Sequence, residues 1–370
     1  MKKILLYFLI LSTFLFNGCF SYTDIDKVIF TTSVIIDVDE EGMPVVYEEA
    51  FKPARSGKAS SGKGSRVLFQ GTGKTLFETF RNLNLSSSYK INYTQCRGII
   101  FTEKAAEKGL DRFIDVFDRG QEFVIRSDIV IYKGDPVALI SAKLKEQDYI
   151  GLFIHDLIYN TPSSSRGTIL SLNDFLNKNY SQNNTCVVPM IELKKNQLED
   201  KVAISDGAII KDYKMVGRLR EAETESYNFL IDNIKGGTME VSNPNCSNNF
   251  VTLEILRNKT DTKVYYDGKT VTLRKIINTR AIITEAQKSL KFDQDTIDDI
   301  QKNAESNIKK FALQLFDEYK KKGLDIFDVA DSFHRVYPHE KFEGNIMYKT
   351  ELIVEPHVFV EGSTDITSFK

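Results

Sequence analysis

Residues 250–283 read FVTLEILRNKTDTKVYYDGKTVTLRKIINTRAII. β-Branched and aromatic residues flank Asp267-Gly268, a dipeptide that strongly favours a two-residue hairpin turn. The pattern predicts strands at Phe250–Arg257, Lys263–Tyr266 and Val271–Ile283, with another at Thr238–Ser242 just upstream. Further on, Asp295–Lys322 keeps Ile297, Ile300, Ala304, Ile308, Phe311, Leu315 and Tyr319 at helical spacing. Asp295, Asp298 and Asp299 crowd its start, Lys320–Lys322 its end, and Gly323 follows, the charge order a helix dipole favours. A last strand is expected at Lys349–Val360. The second half therefore reads as a largely antiparallel sheet with one long packing helix.

Upstream the pattern changes. Val202–Ile210 reads as a strand, and a helix carrying Glu221, Glu223 and Glu225 runs towards Gly236-Gly237. In the first half, Val28–Asp37 and Pro44–Phe51 form a predicted strand pair around an acidic turn. Ser56–Ser65, rich in Ser and Gly, reads as a flexible loop. Lys74–Leu85 is a predicted helix with Leu76, Phe77, Phe80 and Leu83 on one face. A strand at Ile91–Phe101 follows, then a helix at Glu103–Asp118 with Ala106, Leu110, Phe113, Ile114 and Phe117 inward and Gly120 just past its end. Phe123–Tyr132 is a further predicted strand, and Pro136 opens a helix where proline is tolerated. This alternation predicts a mixed α/β N-terminal domain, so the class as a whole is α+β. Polar runs at Asn160–Arg166 and Asn177–Thr185 precede an expected boundary near Lys194–Asp200. The expected units are 1–18, 19–198 and 199–370, with 237 a second place to divide the last.

Composition narrows the function. The chain has 370 residues, 42% hydrophobic, with 49 Lys+Arg against 51 Asp+Glu, enough for two or three domains. Such a balance argues against general nucleic-acid binding, which requires a basic excess. The four Cys include no CxxC pair, so no structural zinc or other cofactor is expected. Cys96, Cys186 and Cys246 are expected as buried free thiols. Tryptophan is absent.

Met1–Cys19 reads MKKILLYFLILSTFLFNGC. Lys2 and Lys3 precede an apolar stretch, Ile4–Phe16, that falls short of the roughly 20 residues of a membrane-spanning helix. A signal peptide fits, and Gly18-Cys19 ends it as a lipobox does, with Cys19 the lipidated residue of the mature chain. Removing Lys2 and Lys3 with the leader makes the body more acidic, so lipid rather than a basic patch would hold it to a membrane.

Two motifs imitate ligand sites. Gly71-Thr72-Gly73-Lys74-Thr75 looks like the end of a phosphate-binding loop, but Leu68 stands where its first glycine belongs. The alternative is a turn in which Thr72 or Thr75 caps the next helix. Asp37, Asp39, Glu41, Gly42 and Glu48 follow calcium-loop spacing, yet the flanks are strands and Pro44 interrupts the loop, so a hairpin turn is expected. His155, His334, His339 and His357 form no metal or catalytic pattern, and no enzymatic activity is expected.

Four segments resemble a known family in order and spacing. They are Gly18-Cys19-Phe20-Ser21-Tyr22-Thr23-Asp24-Ile25-Asp26, Gly71–Leu83, Asp206–Gly237, and Asp325-Ile326-Phe327 with Phe333–Pro338 beyond it. Together they resemble the Ger(x)C family, the C subunits of bacterial spore germinant receptors. The resemblance implies a non-enzymatic α+β lipoprotein on the outer face of the membrane that becomes the spore inner membrane. It implies assembly with two polytopic subunits, an A-type and a transporter-like B-type, in triggering germination by nutrients. Whether this subunit touches the nutrient is not part of what it implies. The family usually has Trp after the lipidated Cys and after the Asp-Ile-Phe segment; here Phe20, Phe333, Tyr337 and Phe342 stand nearby, which bears on partner contacts. The alternatives are a solute-binding lipoprotein serving a transporter, disfavoured by the meander-like second half, and a weakly calcium-dependent envelope module.

Overall fold

The computed structural model describes residues 25–53, 64–120, 122–124, 126–194 and 199–361. Cys19, the segment before it, most of the Ser/Gly loop and part of the expected boundary lie outside the described residues.

The first sheet has nine strands: β1 (Val28–Val38), β2 (Pro44–Lys52), β3 (Ser65–Thr72), β4 (Lys90–Asn92), β5 (Gly98–Thr102), β6 (Asp128–Lys133), β7 (Thr185–Lys194), β8 (Lys201–Lys211) and β9 (Lys214–Leu219). Their order is β3-β2-β1-β5-β6-β7-β8-β9, with the short β4 beside β1. The centre, β1-β5-β6-β7, is parallel and both flanks are antiparallel. A parallel centre needs crossover helices, which cover both faces and leave the strands nearly continuously apolar. One face carries α1 (Leu76–Leu83), α2 (Glu103–Lys108), α3 (Asp111–Arg119) and α6 (Leu172–Asn179). The other carries α4 (Pro136–Ser141) and α5 (Ile150–Asn160).

The second sheet runs β10 (Thr238–Ser242), β11 (Phe250–Tyr266), β12 (Val271–Ala286) and β13 (Thr350–Glu361). The β11–β12 hairpin turns at Asp267-Gly268, where the Asp267 carboxylate accepts from the backbone N–H groups of Lys269 and Thr270. The two runs expected at Phe250–Arg257 and Lys263–Tyr266 are one 17-residue strand. The sheet is antiparallel except at the β12–β13 edge, which is parallel. Its crossover contains α8 (Gln294–Lys322) and α9 (Val329–Val336); α7 (Glu221–Leu230) joins the two sheets. The α+β class expected from sequence is the class observed. β8 and β9 pair within the first sheet, so its hydrogen bonding continues to Leu219.

Asp293 caps α8 by accepting from the Thr296 N–H, and Gly323 ends it in the left-handed conformation. The buried face is Thr296, Ile300, Ala304, Ile308, Ala312, Leu315, Phe316 and Tyr319. Burying a side chain such as Ile300 or Phe316 is worth about 1.5–3 kcal/mol. Phe311, expected inward, is 49% exposed, and Ala312 and Phe316 take that part of the stripe. In α1, Phe77 is likewise outward at 52%, its ring beneath Arg81, while Thr79 turns inward. The helix expected at Glu103–Asp118 is two helices broken at Gly109, and all five of its expected inward residues are buried.

The Trp-replacing aromatics face inward too. Phe333, Tyr337 and Phe342 gather around Tyr266, with ring centroids 5.2, 6.0 and 6.0 Å from it. Phe333 is fully buried and Tyr337 and Phe342 pack against the C-terminal core, so these rings close the end of the second sheet.

Candidate functional site

Gly71-Thr72-Gly73-Lys74-Thr75 ends β3 and starts α1. Thr75 is the N-cap, its hydroxyl accepting from the Glu78 N–H at 3.2 Å, while the Glu78 carboxylate accepts from the Lys74 N–H at 2.8 Å. Such reciprocal capping satisfies donors that a helix start leaves unpaired. The Asp37–Glu48 stretch is a hairpin turn: the Asp39 carboxylate accepts from the Met43 N–H at 2.7 Å and Asp37 accepts from the Thr102 hydroxyl. Glu48, the twelfth position of the calcium-like spacing, points into the core and accepts from Thr31 and Tyr93. His155 is paired with Asp128 at 2.7 Å. Cys96 and Cys186 are buried free thiols as expected; Cys246 is only half-buried.

The chemistry that sequence reasoning missed lies at the seam between the two sheets. Here α6 and the start of β7 meet α7 and the loop before α9. Asp325, in the Asp-Ile-Phe segment, is buried and accepts from the N–H groups of Phe327, Val329 and Ala330. Burial pushes its carboxyl up to about 6 against those three donors. Ile326 and Phe327 fill the C-terminal core, which gives that segment a structural reason. Asn183 donates to the Asp325 carbonyl at 2.5 Å, tying the two halves together.

Asp325 does the capping, so Asp328 is released from it. Asp328 occupies the cap position in the left-handed conformation (φ 59°) and pairs across the seam with Lys178 of α6. Asp232, also left-handed at φ 62°, accepts from Lys259 at 2.5 Å and the Thr260 N–H at 2.6 Å. After glycine, short polar residues such as Asp and Asn tolerate this conformation best. Behind them, Lys275 is buried in β12, donates to Thr262 at 2.9 Å, and is pushed down to about 8 by burial, with Asp328, Asp325 and Asp232 pulling it back up. One signal was available: the inward phase of β12 reads Val271, Leu273, Lys275, Ile277, a lysine among core positions.

On the other side of the seam, Asn228 donates to the carbonyls of Ser165 and Gly167, both at 2.9 Å. Ser165 donates to Glu225 at 2.9 Å. Gly237 has φ +111° and lies so close to Ser165 that a Cβ would approach its nitrogen to 2.3 Å, so a side chain there would force the halves apart.

Across this seam opens a cavity of about 250 Å3 lined by both halves: Thr168, Leu170, Asp174, Lys178, Cys186 and Val187 from one, Tyr227, Ile231, Asp232, Ile326 and Asp328 from the other. Burial pushes the Cys186 thiol up to about 12, which makes it a poor nucleophile. Among the described residues no three metal-ligating side chains group together.

Both halves match spore germination families. Residues 21–193 match the spore germination protein N-terminal domain, and residues 205–364 the C-terminal domain described as spore germination B3/GerAC-like. The chain belongs to the Ger(x)C family. Spore germination protein GerQC of Bacillus cereus is 27% identical over 328 residues, 88% of each chain. Spore germination protein B3 of Bacillus subtilis (strain 168) is 24% identical over 316 residues, 82% of each. The crystal structure of the GerBC protein shares the fold, with a TM-score of 0.58 at 17% identity over 88% of this chain and 96% of that one. Within the family frame, Asp325–Phe327 and Gly236-Gly237 are seam residues, and Gly71–Leu83 is a capped strand-to-helix turn.

Proposed function

We propose that this spore germination protein is the lipid-anchored C subunit of a nutrient germinant receptor. It would sit on the outer face of the membrane that becomes the spore inner membrane and act by contact with two polytopic subunits, not by catalysis. The observation that carries the reading is the match of both halves of the chain, in order, to the two family domains. In this reading residues 19–198 and 199–370 are the two units, joined by the pairing of β7 with β8 as well as through the seam. Attachment rests on acyl chains at Cys19, each buried CH2 contributing about 0.8 kcal/mol, so that two chains anchor stably. No helix of the described residues is long and apolar enough to cross a membrane.

Deletion tests the role. Spores lacking the chain should fail to respond to at least one nutrient; spores germinating at the parental rate with every nutrient would sink the reading. Co-purification from spore membranes should recover two multi-pass proteins. Cys19→Ser should move the chain from the detergent phase to the aqueous phase, and unchanged partitioning would refute the anchor.

A further inference from the structure

We propose that the end of the first sheet where β1 begins is a membrane-contact surface, covered by the phospholipid bilayer when the chain is anchored. The inference rests on the lipid anchor at Cys19 proposed above, and it names the surface that the anchored body turns to the bilayer. Three features carry it. The first is reach. Ile25 is six residues beyond Cys19, at most about 22 Å of extended chain. β1 has 11 residues, so its start lies about 36 Å from the Asp39-Glu40-Glu41 turn. So short a tether cannot let the body stand on that turn, which carries three carboxylates; it keeps the start of β1 near the bilayer.

The second is what that end exposes. Ile25, just before β1, is 62% exposed, and Leu85, at 87%, is the most exposed large apolar side chain among the described residues. Distant in sequence, they reach the same sheet end. The Asn84 carboxamide accepts from the Ile91 N–H of β4 at 3.1 Å, and Ile91 is paired with Ile29 of β1. Lys27, Lys52 and Lys90 arrive there too, because Val28 is paired with Lys90 and Phe30 with Phe51. Lys52 lies over the Tyr89 ring, 4.5 Å from its centroid, and among the described residues no carboxylate pairs with any of the three lysines. Exposed apolar groups ringed by lysines suit a lipid interface: the apolar groups enter the acyl boundary and the ammonium groups snorkel to phosphate. Asp24, Asp26 and Asp148 offset the lysines, so apolar insertion rather than net charge has to carry the contact.

The third is a groove of about 430 Å3 beside that end, lined by Phe30, Thr32, Phe51, Gln95, Tyr149 and Leu152. Phe30 lies only about 7 Å along β1 from Val28, within the roughly 5–10 Å to which interfacial side chains sink. Tyr149, edge to face with Phe51 at 5.7 Å, has the apolar body and polar tip that such a depth favours. Acyl chains would hold the protein to the membrane; this surface would orient it, with β1 rising from the bilayer and the acidic turn pointing away.

The chain has no tryptophan, so a single introduced indole reports only its own position. Residues 19–370 with Cys246→Ser are coupled through the Cys19 thiol to a maleimide lipid, in phosphatidylglycerol–phosphatidylcholine vesicles with brominated acyl chains. Cys96 and Cys186 are buried and do not compete. Leu85→Trp should be quenched about threefold or more relative to Glu41→Trp at the far turn, with its emission shifted to the blue. In the Leu85→Trp chain, Ile25→Glu and Lys90→Glu should each at least halve that quenching and leave the melting midpoint unchanged, since both positions are exposed. Equal quenching of the two reporters, quenching of neither, or full quenching in the folded Ile25→Glu chain overturns the proposal. The coupling supplies the tether, so this result is independent of whether the cell acylates Cys19, which the detergent partitioning of Cys19→Ser decides separately.

Discussion

Glu48 and Glu49 are neighbours in β2, both fully buried, and they face opposite sides of the first sheet. Adjacent strand residues must do so. Their surroundings differ in kind. Glu49 meets a cation and a helix start: Arg66 at 2.5 Å, the Ile150 and Gly151 N–H groups of α5 at 3.0 and 3.2 Å, and the hydroxyls of Thr32 and Ser33. A register shift between Thr31 and Ser33 makes Thr32 the extra residue of a β-bulge and brings its hydroxyl to Glu49. Among the described residues Glu48 has only two neutral donors, Thr31 at 2.6 Å and Tyr93 at 3.1 Å, and it stands opposite Val34 of the N-terminal core. Burial pushes its carboxyl up to about 7 in spite of them. One sheet thus houses a carboxylate bonded to a cation on one face and, on the other, a carboxyl that burial makes favour its proton.

The largest effect should come from breaking the compensated site. Glu49→Ala strands the Arg66 guanidinium and leaves the α5 N–H groups and two hydroxyls without their acceptor, and should cost about 3–5 kcal/mol in urea unfolding. Arg66 also donates to the Ile140 and Ala142 carbonyls, so Arg66→Met should lose nearly as much. Glu48→Gln should act in the opposite direction. The folded value of Glu48, about 7, lies above the ordinary 4.5, so the folded state holds its proton more tightly. The stability this supplies is complete below about pH 4.5 and is lost as pH rises through 7. Glu48→Gln should flatten this slope and leave the variant more stable than the parent at pH 8, by up to roughly 3 kcal/mol. Equal destabilisation by Glu48→Gln and Glu49→Ala would erase the contrast between the faces.

Why the sequence showed one part of this and hid another follows from range. Strand pairs, the Asp267-Gly268 turn and the caps of the long helix are local, and the residues that make them are adjacent. The Glu48–Glu49 site depends on Arg66 and on the start of α5, a hundred residues away, and a bulge leaves no mark on hydrophobic alternation. In α1, Phe77 and Thr79 both border the apolar stripe, and residue type alone puts the larger one inward; Gly71 and Gly73 lie close against the threonine instead, whose hydroxyl donates to the Thr75 carbonyl. The seam was least legible. Lys178, Asp232, Thr168 and Asp328 come from four separate stretches, and only Lys275, out of phase among Val, Leu and Ile, could be picked out along one strand.

Asp325 extends the comparison to a third buried carboxyl, intermediate between the two. It has three backbone N–H donors, no cation bonded to it among the described residues, and a carboxyl raised only to about 6. Asp325→Ala removes the cap of α9 and leaves those N–H groups unpaired, so a loss of about 2 kcal/mol is expected, between the Glu49 and exposed-cap cases. The same variant should loosen the seam, read as faster amide exchange at Asn183 and Val329 than elsewhere in the core.

Thr75 sets the lower limit of the series. It caps α1 at the surface with a single 3.2 Å bond from the Glu78 N–H, in contact with water rather than core. Water can replace the lost acceptor, so Thr75→Ala should cost about 1 kcal/mol and Thr75→Ser almost nothing. The pair also separates a cap from a phosphate loop. A cap predicts that magnesium and adenosine triphosphate leave the melting of parent and Thr75→Ala unchanged. A phosphate loop predicts a nucleotide-dependent rise in the parent that Thr75→Ala abolishes. With Leu68 in an extended strand where the loop would need its first glycine, and the Glu78 carboxylate accepting from the Lys74 N–H, the backbone donors near Thr75 are directed into the helix start.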